Sequence, residues 1–457
     1  RQAVMQDLEH EPIYQALCRL YQAIVDAQRL VKHAQAARHP LQRAVYQLNG
    51  MMLYCQGVTT ISQSAVFEKI RSTGLIKLCD YIKKMATSDS FIDFAQQVRS
   101  LNHSLSEKSY YLTILGGQAL LDLSQESVPD DYLRRLDCDL FPLASDRLSS
   151  KNDDILIWRQ IDLCQLESEI VMHLEQFDPI PFDSCREISQ AHPNFIDPVV
   201  ERFSQDFPFY IGYAEFMQKM KNKGFDFSWP VICPDQPMDI VGMYHLPLAL
   251  QSEQASAVVV NDIRLTSQEK GASITGANQG GKTTFLCSIG QVAWFAALGL
   301  PVGARFARLP LFSMIRTHFA KAERSGDQHG KLSEEITAIK ATLADIQPDS
   351  LILMNELLMS TTVRDACEIG RQVIRQLLAA GATVMIAGHI PDLAAVDGKL
   401  ANLVAEVMPG PENRRTFKIV RQEPDGQAYA IQLAKSRHLT YAEIKERIIH
   451  GTASAVS

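Results

Sequence analysis

The chain has 457 residues and a formal net charge of −7, with 46% hydrophobic and 21% charged residues. This length predicts two to four domains, and the composition is typical of a soluble globular protein. The acidic balance argues against a large nucleic-acid-binding face but leaves a local one open. No apolar run reaches the roughly 20 residues that a membrane-spanning helix needs. The nine cysteines, which form no C-x-x-C pair, indicate reduced thiols in a cytoplasmic protein.

The N-terminal part of the sequence predicts long helices. Apolar residues such as Ile13 and Leu17 recur there at three- and four-residue spacing. Residues 110–160 are less regular and predict a small subdomain. After a proline-rich stretch, we place the boundary between a helical domain, residues 1–235, and a second domain, residues 236–457.

The second domain alternates short apolar strands with helical patterns. Such alternation is typical of a largely parallel sheet with helices on its faces, so we predict an α/β fold here. Near its end, residues 423–426 predict a hairpin turn. A capping-box pattern that starts at Thr440 predicts a closing helix.

A complete phosphate-binding motif, G-x-x-x-x-G-K-[ST], occupies residues 276–283. An apolar run precedes it and a helical pattern follows it, which is the context that such a site requires. The glycines let backbone N–H groups and the helix N-terminus approach phosphates, which Lys282 would also reach, while Thr283 would ligate Mg²⁺. The alternative is a glycine-rich turn without a ligand. The predicted nucleotide contacts are Gly276, Ala277, Asn278, Gln279, Gly280, Gly281, Lys282, Thr283 and Thr284.

Two polar residues at the end of a later strand predict the second part of the site. The mainly apolar run of residues 350–354 ends in Asn355 and Glu356. Phosphate-loop proteins hold Mg²⁺ and the attacking water at such a strand end, usually with Asp in the first position. Asn355 can accept a hydrogen bond from a metal-bound water but brings no charge. We predict both residues as metal ligands and Glu356 as the general base. The alternative is a strand that ends in two polar surface residues.

A third strand, residues 382–387, is followed by Gly388 and His389. A histidine at this position could contact the terminal phosphate or sense its loss, so we predict a catalytic role for His389. A packed or surface histidine is the commoner role of an isolated residue of this type.

These segments resemble the MutS family. Residues 274–285 are similar to its Walker A segment, and the N-D-I-x-L sequence that starts at Asn261 is similar to the approach to that segment. Residues 351–389 resemble its Walker B strand, Ser/Thr-rich loop, helix and switch-histidine strand. Residues 330–336 resemble the signature segment of short MutS-like proteins, and the Asn-Glu pair is closer to a bacterial MutS-like branch than to the mismatch-repair protein.

The resemblance carries specific motifs over about residues 240–450 and implies a P-loop NTPase of the ABC-type, MutS-like kind, which uses ATP and Mg²⁺. It implies a homodimer through the ATPase domains, in which each signature segment faces the partner's nucleotide. Ser333 is then a nucleotide contact, with a helix cap in its own subunit as the alternative. DNA is the partner that the family implies. No Phe-x-Glu motif occurs in the N-terminal region, so mismatch recognition by that route is not supported.

Other functional classes stay open on the sequence alone. A nucleotide-gated clamp or scaffold with little turnover is compatible with the neutral Asn355. A phosphate-loop kinase or transporter ATPase would share the loop, although the sequence lacks the L-S-G-G-Q signature of transporter subunits. Two basic stretches are candidate DNA contacts, with a solvated surface as the commoner role. They comprise Arg305, Arg308, Arg316, Lys321 and Arg324, and then Arg414, Arg415, Lys418 and Arg421.

Overall fold

The computed structural model divides the chain into two compact units. One contains residues 3–214, and the other contains residues 215–457 together with residues 1–2. The described residues are 1–106, 111–115, 118–122, 175–176, 178–319, 331–388, 398–408, 415–423, 439–441 and 444–445. The boundary that we predict from sequence, at residue 235, lies further along the chain than this division.

The first unit is mainly helical. Its helices are α1 (Gln2–Leu8), α2 (Glu11–Ala36), α3 (Pro40–Ser62), α4 (Thr73–Ala86), α5 (Asp89–Ser106), α6 (Pro179–Ala191) and the first part of α7 (Pro198–Asn222). The predicted apolar stripe of α2 is buried, with Ile13 and Leu17 at most 1% exposed. Helices α2 and α3 pack along each other, since each offers an apolar face at helical spacing.

A two-stranded hairpin follows α5. Strands β1 (Tyr111–Leu115) and β2 (Gln118–Asp122) pair antiparallel. They lie in the stretch that we predict as an irregular subdomain, most of which is outside the described residues. Among the described helices, none combines the length and apolarity needed to cross a bilayer.

The second unit contains two sheets. The larger has the order β12-β11-β6-β10-β9-β8. All its neighbours pair in parallel except β11 and β12. Its strands are β6 (Gly271–Gly276), β8 (Met314–Phe319), β9 (Ser350–Asn355), β10 (Thr383–Ala387), β11 (Ala401–Val407) and β12 (Arg415–Arg421). A helical N-terminal part and mixed sheets are therefore present, as the fold prediction requires.

The smaller sheet is mainly antiparallel, in the order β3-β7-β4-β5. Its strands are β3 (Val231–Ile232), β4 (Asp239–Met243), β5 (Asn261–Arg264) and β7 (Phe306–Leu309). The helices of this unit, after the end of α7, are α8 (Leu246–Gln251), α9 (Lys282–Ala297), α10 (Lys331–Ala344) and α11 (Val363–Ala379). The predicted hairpin turn and closing helix fall largely outside the described residues.

Helices cover both faces of the larger sheet. Alternate side chains of β9 belong to different core clusters, with Leu353 in the cluster that includes α9 and Ile352 in the cluster that includes α11. Every residue of β9 is buried. Burial on both faces explains why this strand is an almost continuous apolar run rather than an alternating one.

Candidate functional site at the carboxyl edge of the sheet

Three central strands end together at one edge of the larger sheet. In the parallel register, Ala387 at the end of β10 lies beside Asn355 and Ile274 of its two neighbours. Because parallel strands share their carboxyl edge, the segments that follow β6, β9 and β10 start side by side. Two of the predicted groups, the motif after β6 and the pair at the end of β9, therefore meet there.

Residues 276–281, which we call the glycine loop, join β6 to α9. Gly276 has φ +111° and Gly281 has φ +92°, both in the region that favours glycine. A Cβ on Gly276 would lie 2.9 Å from the Ala405 backbone nitrogen, so β11 leaves no room for a side chain. The loop ends where α9 begins, at Lys282, and its last residue is the N-cap of that helix. The free N–H groups of the first helical turn therefore point to the loop.

Lys282 is buried at this helix N-terminus, with 6% exposure. Its Nζ donates to the carbonyl oxygens of Gly276, at 2.9 Å, and Ala277, at 3.0 Å. Burial lowers the pKa of Lys282, the negative charge of Glu356 opposes that shift, and the positive charge of Arg415 adds to it. Buried lysines are rare unless a partner stabilises the ammonium group, and here the two carbonyl oxygens are the partners.

Thr283 and Asn355, both predicted as metal ligands, are in direct contact. The Thr283 hydroxyl donates to Asn355 Oδ1 at 3.0 Å, which joins the first turn of α9 to the end of β9. Asn355 is buried and Thr283 is exposed. Among the described residues, no group of three or more His, Cys, Asp or Glu side chains is arranged to hold a metal ion.

Glu356 follows Asn355 in a left-handed backbone conformation, with φ +57°. Its N–H donates to the Ala387 carbonyl oxygen at 2.8 Å, which ties the turn to the end of β10. Positive φ is unfavourable for a residue with a side chain, and such strained residues cluster at active and ligand-binding sites. Gln279 and Phe417 also have positive φ, +57° and +59°, so such residues are concentrated at this edge.

Strand β12 adds residues that lie outside the sequence motifs of the site. Arg415 Nη1 donates to the Gln279 side-chain oxygen at 3.2 Å, across the tip of the glycine loop. Phe417 is 49% exposed, and its Cβ lies 3.7 Å from the position that a Cβ on Gly281 would take. The sequence marked Arg415 only as part of a basic stretch and gave no signal for Phe417.

Asn261 holds β12 in place. Its Nδ2 donates to the Phe417 carbonyl oxygen at 3.1 Å, and its Oδ1 accepts from the Ile419 N–H at 2.8 Å. Asn261 is the first residue of the N-D-I-x-L sequence identified above. This motif therefore has a structural role here, because it fixes the strand that flanks the glycine loop.

The remaining predicted site residues are placed as follows. Ala277 and Gly280 are buried, whereas Asn278 and Thr284 are exposed. Ser333 is exposed in the first turn of α10, and that helix starts at Lys331. Ser333 is therefore inside the helix rather than at its N-cap, which makes the helix-cap alternative wrong. His389 lies outside the described residues.

The α10 helix also reaches the loop that follows Glu356. The Glu335 carboxylate accepts a hydrogen bond from the Ser360 N–H at 3.4 Å. Glu335 lies within the predicted signature segment, so that segment is linked, within one chain, to the predicted Ser/Thr-rich loop.

The basic stretches are engaged within the chain. Arg421 forms a bidentate pair with Glu269, at 2.7 and 3.0 Å, and Lys418 donates to the Val260 carbonyl oxygen. Arg308 lies 3.4 Å from Asp239. These contacts favour structural roles over a DNA-binding face for those three residues. Lys321, Arg324 and Arg414 lie outside the described residues.

Comparisons with known proteins match the part of the chain that contains these residues. A family model described as MutS domain V matches residues 272–450. The endonuclease MutS2 of Anaeromyxobacter sp. (strain Fw109-5) is 30% identical over 171 residues, which are 36% of this chain and 20% of that protein.

Two DNA mismatch repair proteins MutS give longer but weaker matches. That of Thermotoga sp. (strain RQ2) is 23% identical over 303 residues, 64% of this chain and 37% of the relative. That of Shouchella clausii (strain KSM-K16) is 27% identical over 226 residues, 49% of this chain and 26% of the relative. The chain thus spans less than two fifths of the length of each of these relatives. The family that the chain matches, over residues 272–450, is therefore the MutS family, through its domain V.

Proposed function

We propose that this protein is a MutS-like ATPase, with residues 236–457 as a P-loop ATPase domain of the ABC type and residues 1–235 as a helical core or lever-like domain. It would bind and hydrolyse ATP with Mg²⁺ and couple that cycle to DNA binding or remodelling. One observation carries the proposal. A buried lysine stands at the start of a helix after a glycine loop, at the edge where the Thr283–Asn355 pair and Glu356 also lie.

The glycine loop would hold the phosphates of ATP. The first N–H groups of α9 and the positive end of its dipole favour an anion at that place. Lys282 would exchange the Gly276 and Ala277 carbonyl oxygens for phosphate oxygens, which offer a stronger, charge-assisted hydrogen bond. Burial lowers the pKa of Lys282, and a bound anion would favour its charged form.

The Thr283–Asn355 pair and Glu356 fit a magnesium ion, in part. Hydroxyl, amide and carboxylate oxygens are ligands that Mg²⁺ accepts, directly or through water, and Thr283, Asn355 and Glu356 offer one of each. Bound Mg²⁺ would supply neutralisation of the phosphate charge. Only one of the three side chains is anionic, so the ion would depend largely on the phosphates for its ligands.

Glu356 is the proposed general base or water-positioning group. Its backbone leaves the strand conformation at φ +57°, and its negative charge raises the pKa of Lys282 against the effect of burial. His389 remains a proposed contact to the terminal phosphate.

The proposal includes a homodimer through the ATPase domains. Ser333 is exposed near the start of α10, where a partner's nucleotide could meet it. Mixing Lys282→Ala chains with Ser333→Arg chains tests this arrangement, because one composite site of the heterodimer would be intact. We expect the mixture to regain part of the ATPase activity that both homodimers lack. If demonstrated heterodimers stay inactive, Ser333 does not act on the partner's site.

A DNA substrate is supported by the names of the relatives, which are endonucleases and DNA mismatch repair proteins. A nucleotide-gated clamp with little turnover is the second candidate, and the neutral Asn355 favours it. Steady-state ATP hydrolysis by the full chain, with and without duplex and junction DNA, distinguishes the two. The ATPase proposal predicts measurable turnover that DNA changes, whereas a clamp would bind ATP and turn over little under either condition.

Glu356→Gln provides the matched test of catalysis. Turnover should fall by about 100-fold, the usual scale for loss of a general base, while ATP affinity is preserved. Glu368→Gln, an exposed glutamate on α11, is the control and should leave turnover unchanged. Equal turnover in wild type and Glu356→Gln would remove Glu356 from the catalytic role.

A further inference from the structure

We propose that Arg415 is a second phosphate-binding cation of the nucleotide site, supplied by the same chain, and that it provides part of the charge neutralisation that Mg²⁺ would otherwise supply. This inference rests on the proposed function and assigns a role to a strand that no motif identifies.

The position of Arg415 is the first argument. It is the first residue of β12, and its guanidinium group donates to Gln279 at 3.2 Å. Gln279 is exposed in the middle of the glycine loop. A phosphate chain held by that loop would therefore lie within reach of a planar, five-donor group, which suits phosphate oxygens well.

The attachment of β12 is the second argument. The Asn261 side chain fixes the backbone around Phe417, and the Arg421–Glu269 pair fixes the far end of the strand. Arg415 thus lies on a strand that side-chain hydrogen bonds hold to two other segments of the chain. A cation on a fixed strand loses less conformational freedom on binding an anion than one on a free loop.

The charges around Lys282 are the third argument. Lys282 and Arg415 both bond to the glycine loop, Lys282 through the Gly276 and Ala277 carbonyl oxygens and Arg415 through Gln279. Glu356 is the carboxylate that follows β9 at the same edge of the sheet. Asn355 stands where a second carboxylate is usual in such sites. Two cations against one carboxylate leave the site with positive charge for a bound polyphosphate, even without a metal ion.

An alternative role for Arg415 is purely structural, in which it orders Gln279 and the loop. The two roles differ in their dependence on Mg²⁺. A phosphate-binding cation and Mg²⁺ neutralise the same charge, so each should matter more when the other is missing. A residue that only orders the loop should affect nucleotide affinity equally with and without the metal.

The test is an equilibrium titration of the full chain with the non-hydrolysable ATP analogue adenylyl imidodiphosphate, in EDTA and in saturating Mg²⁺. In EDTA, Arg415→Gln should weaken binding by about 10-fold, the scale of one hydrogen bond to a charged group. In Mg²⁺ the loss should be clearly smaller. Arg415→Lys should retain most of the affinity in EDTA, and Arg202→Gln, an exposed arginine of the helical unit, should retain all of it.

The outcomes separate the two proposals. The role of Arg415 is overturned if Arg415→Gln loses less than twofold in affinity in EDTA, or loses equally in EDTA and in Mg²⁺. This conclusion applies when wild type binds the analogue and Lys282→Ala does not. Failure of wild type to bind the analogue in both conditions contradicts the proposed ATPase function itself. Thermal melting of Arg415→Gln, compared with wild type, shows whether the variant is folded.

Discussion

The two units of the chain use buried polar groups in different ways. In the helical unit, Asp7 is 2% exposed and accepts hydrogen bonds from the backbone N–H groups of Arg71 and Ser72, at 3.0 and 2.8 Å. This carboxylate joins α1 to the start of α4, so it has a complete structural explanation. In the sheet unit, the buried Lys282 ammonium group donates to two neutral carbonyl oxygens of its own loop.

The difference lies in whether the surrounding protein groups favour the charge of the buried side chain. Asp7 has the donors that a buried carboxylate requires, and it lies at a helix N-terminus where negative charge is favoured. Lys282 is a cation at a helix N-terminus, where the dipole disfavours positive charge. The phosphates of the proposed ATP would resolve that conflict. Buried polar groups of the first kind stabilise the fold, and those of the second kind indicate a binding site.

Lys282→Ala should produce the largest effect and should act on binding. We expect ATP affinity to fall by at least about 100-fold, because the variant loses the cation that would pair with the phosphates. The melting temperature should not fall, since burial of this cation is unfavourable in the free protein. Equilibrium titration and thermal melting of one preparation give both values, with the exposed Lys340→Ala as control. An unchanged ATP affinity would contradict the assignment of residues 276–283 as a phosphate-binding loop.

Asp7→Ala should act on stability alone. The substitution leaves the Ser72 N–H buried without its acceptor and removes the charge at the start of α4, so the free energy of unfolding should fall by about 2–3 kcal/mol. Urea unfolding measures this, and the exposed Asp93→Ala on α5 is the control. The folded variant should bind ATP as wild type does. A selective loss of ATP affinity would contradict the contrast between the two units.

Asn355→Asp should have a smaller effect, on the metal. A carboxylate in place of the amide adds negative charge beside Thr283, so the Mg²⁺ concentration for half-maximal turnover should drop by about threefold to tenfold. ATP turnover over a Mg²⁺ titration is the measurement. Lower turnover at every Mg²⁺ concentration would instead mean that the site is adapted to a neutral side chain.

Glu269→Gln should have the smallest effect, a change in the free energy of unfolding that depends on pH. The bidentate bond from Arg421 lowers the pKa of Glu269 in the folded protein. Its contribution to stability is therefore present above about pH 4.3, the unfolded pKa, and is lost as pH falls through the lower folded pKa. We expect about 1 kcal/mol or less, because Arg421 is half exposed.

The measurement for Glu269 is urea unfolding from pH 6 to pH 3.5. The difference in unfolding free energy between wild type and Glu269→Gln should shrink toward the acid end. A difference that is constant over this range would show that the charge of Glu269 does not stabilise β12.

The sequence was informative where the site is local. The glycine loop, Lys282 and Thr283 are consecutive, and their geometry follows from a strand, a turn and a helix. The pair at the end of β9 was also predictable, because a buried parallel strand exposes its carboxyl end. Predictions of this kind follow from neighbouring residues and need no knowledge of contacts between distant parts of the chain.

The β12 contribution was not predictable in the same way. Asn261 and Phe417 are separated by 156 residues, and their pairing depends on an antiparallel strand at the edge of a parallel sheet. Arg415 looked like one of several surface cations because charge patterns carry no information about which loop a strand will flank. Ser333 was placed correctly near a helix start, but one turn of register decides whether a serine is a cap or a surface residue.

Hydrogen–deuterium exchange of the full chain, with and without adenylyl imidodiphosphate and Mg²⁺, tests the central claim most directly. If the carboxyl edge of the sheet is the nucleotide site, the strongest slowing of exchange should fall in residues 276–290, where loop and helix N–H groups would bind phosphate. Residues 355–358 should follow, and Lys282→Ala should abolish both effects. Unchanged exchange in residues 276–290 at saturating nucleotide would contradict the account.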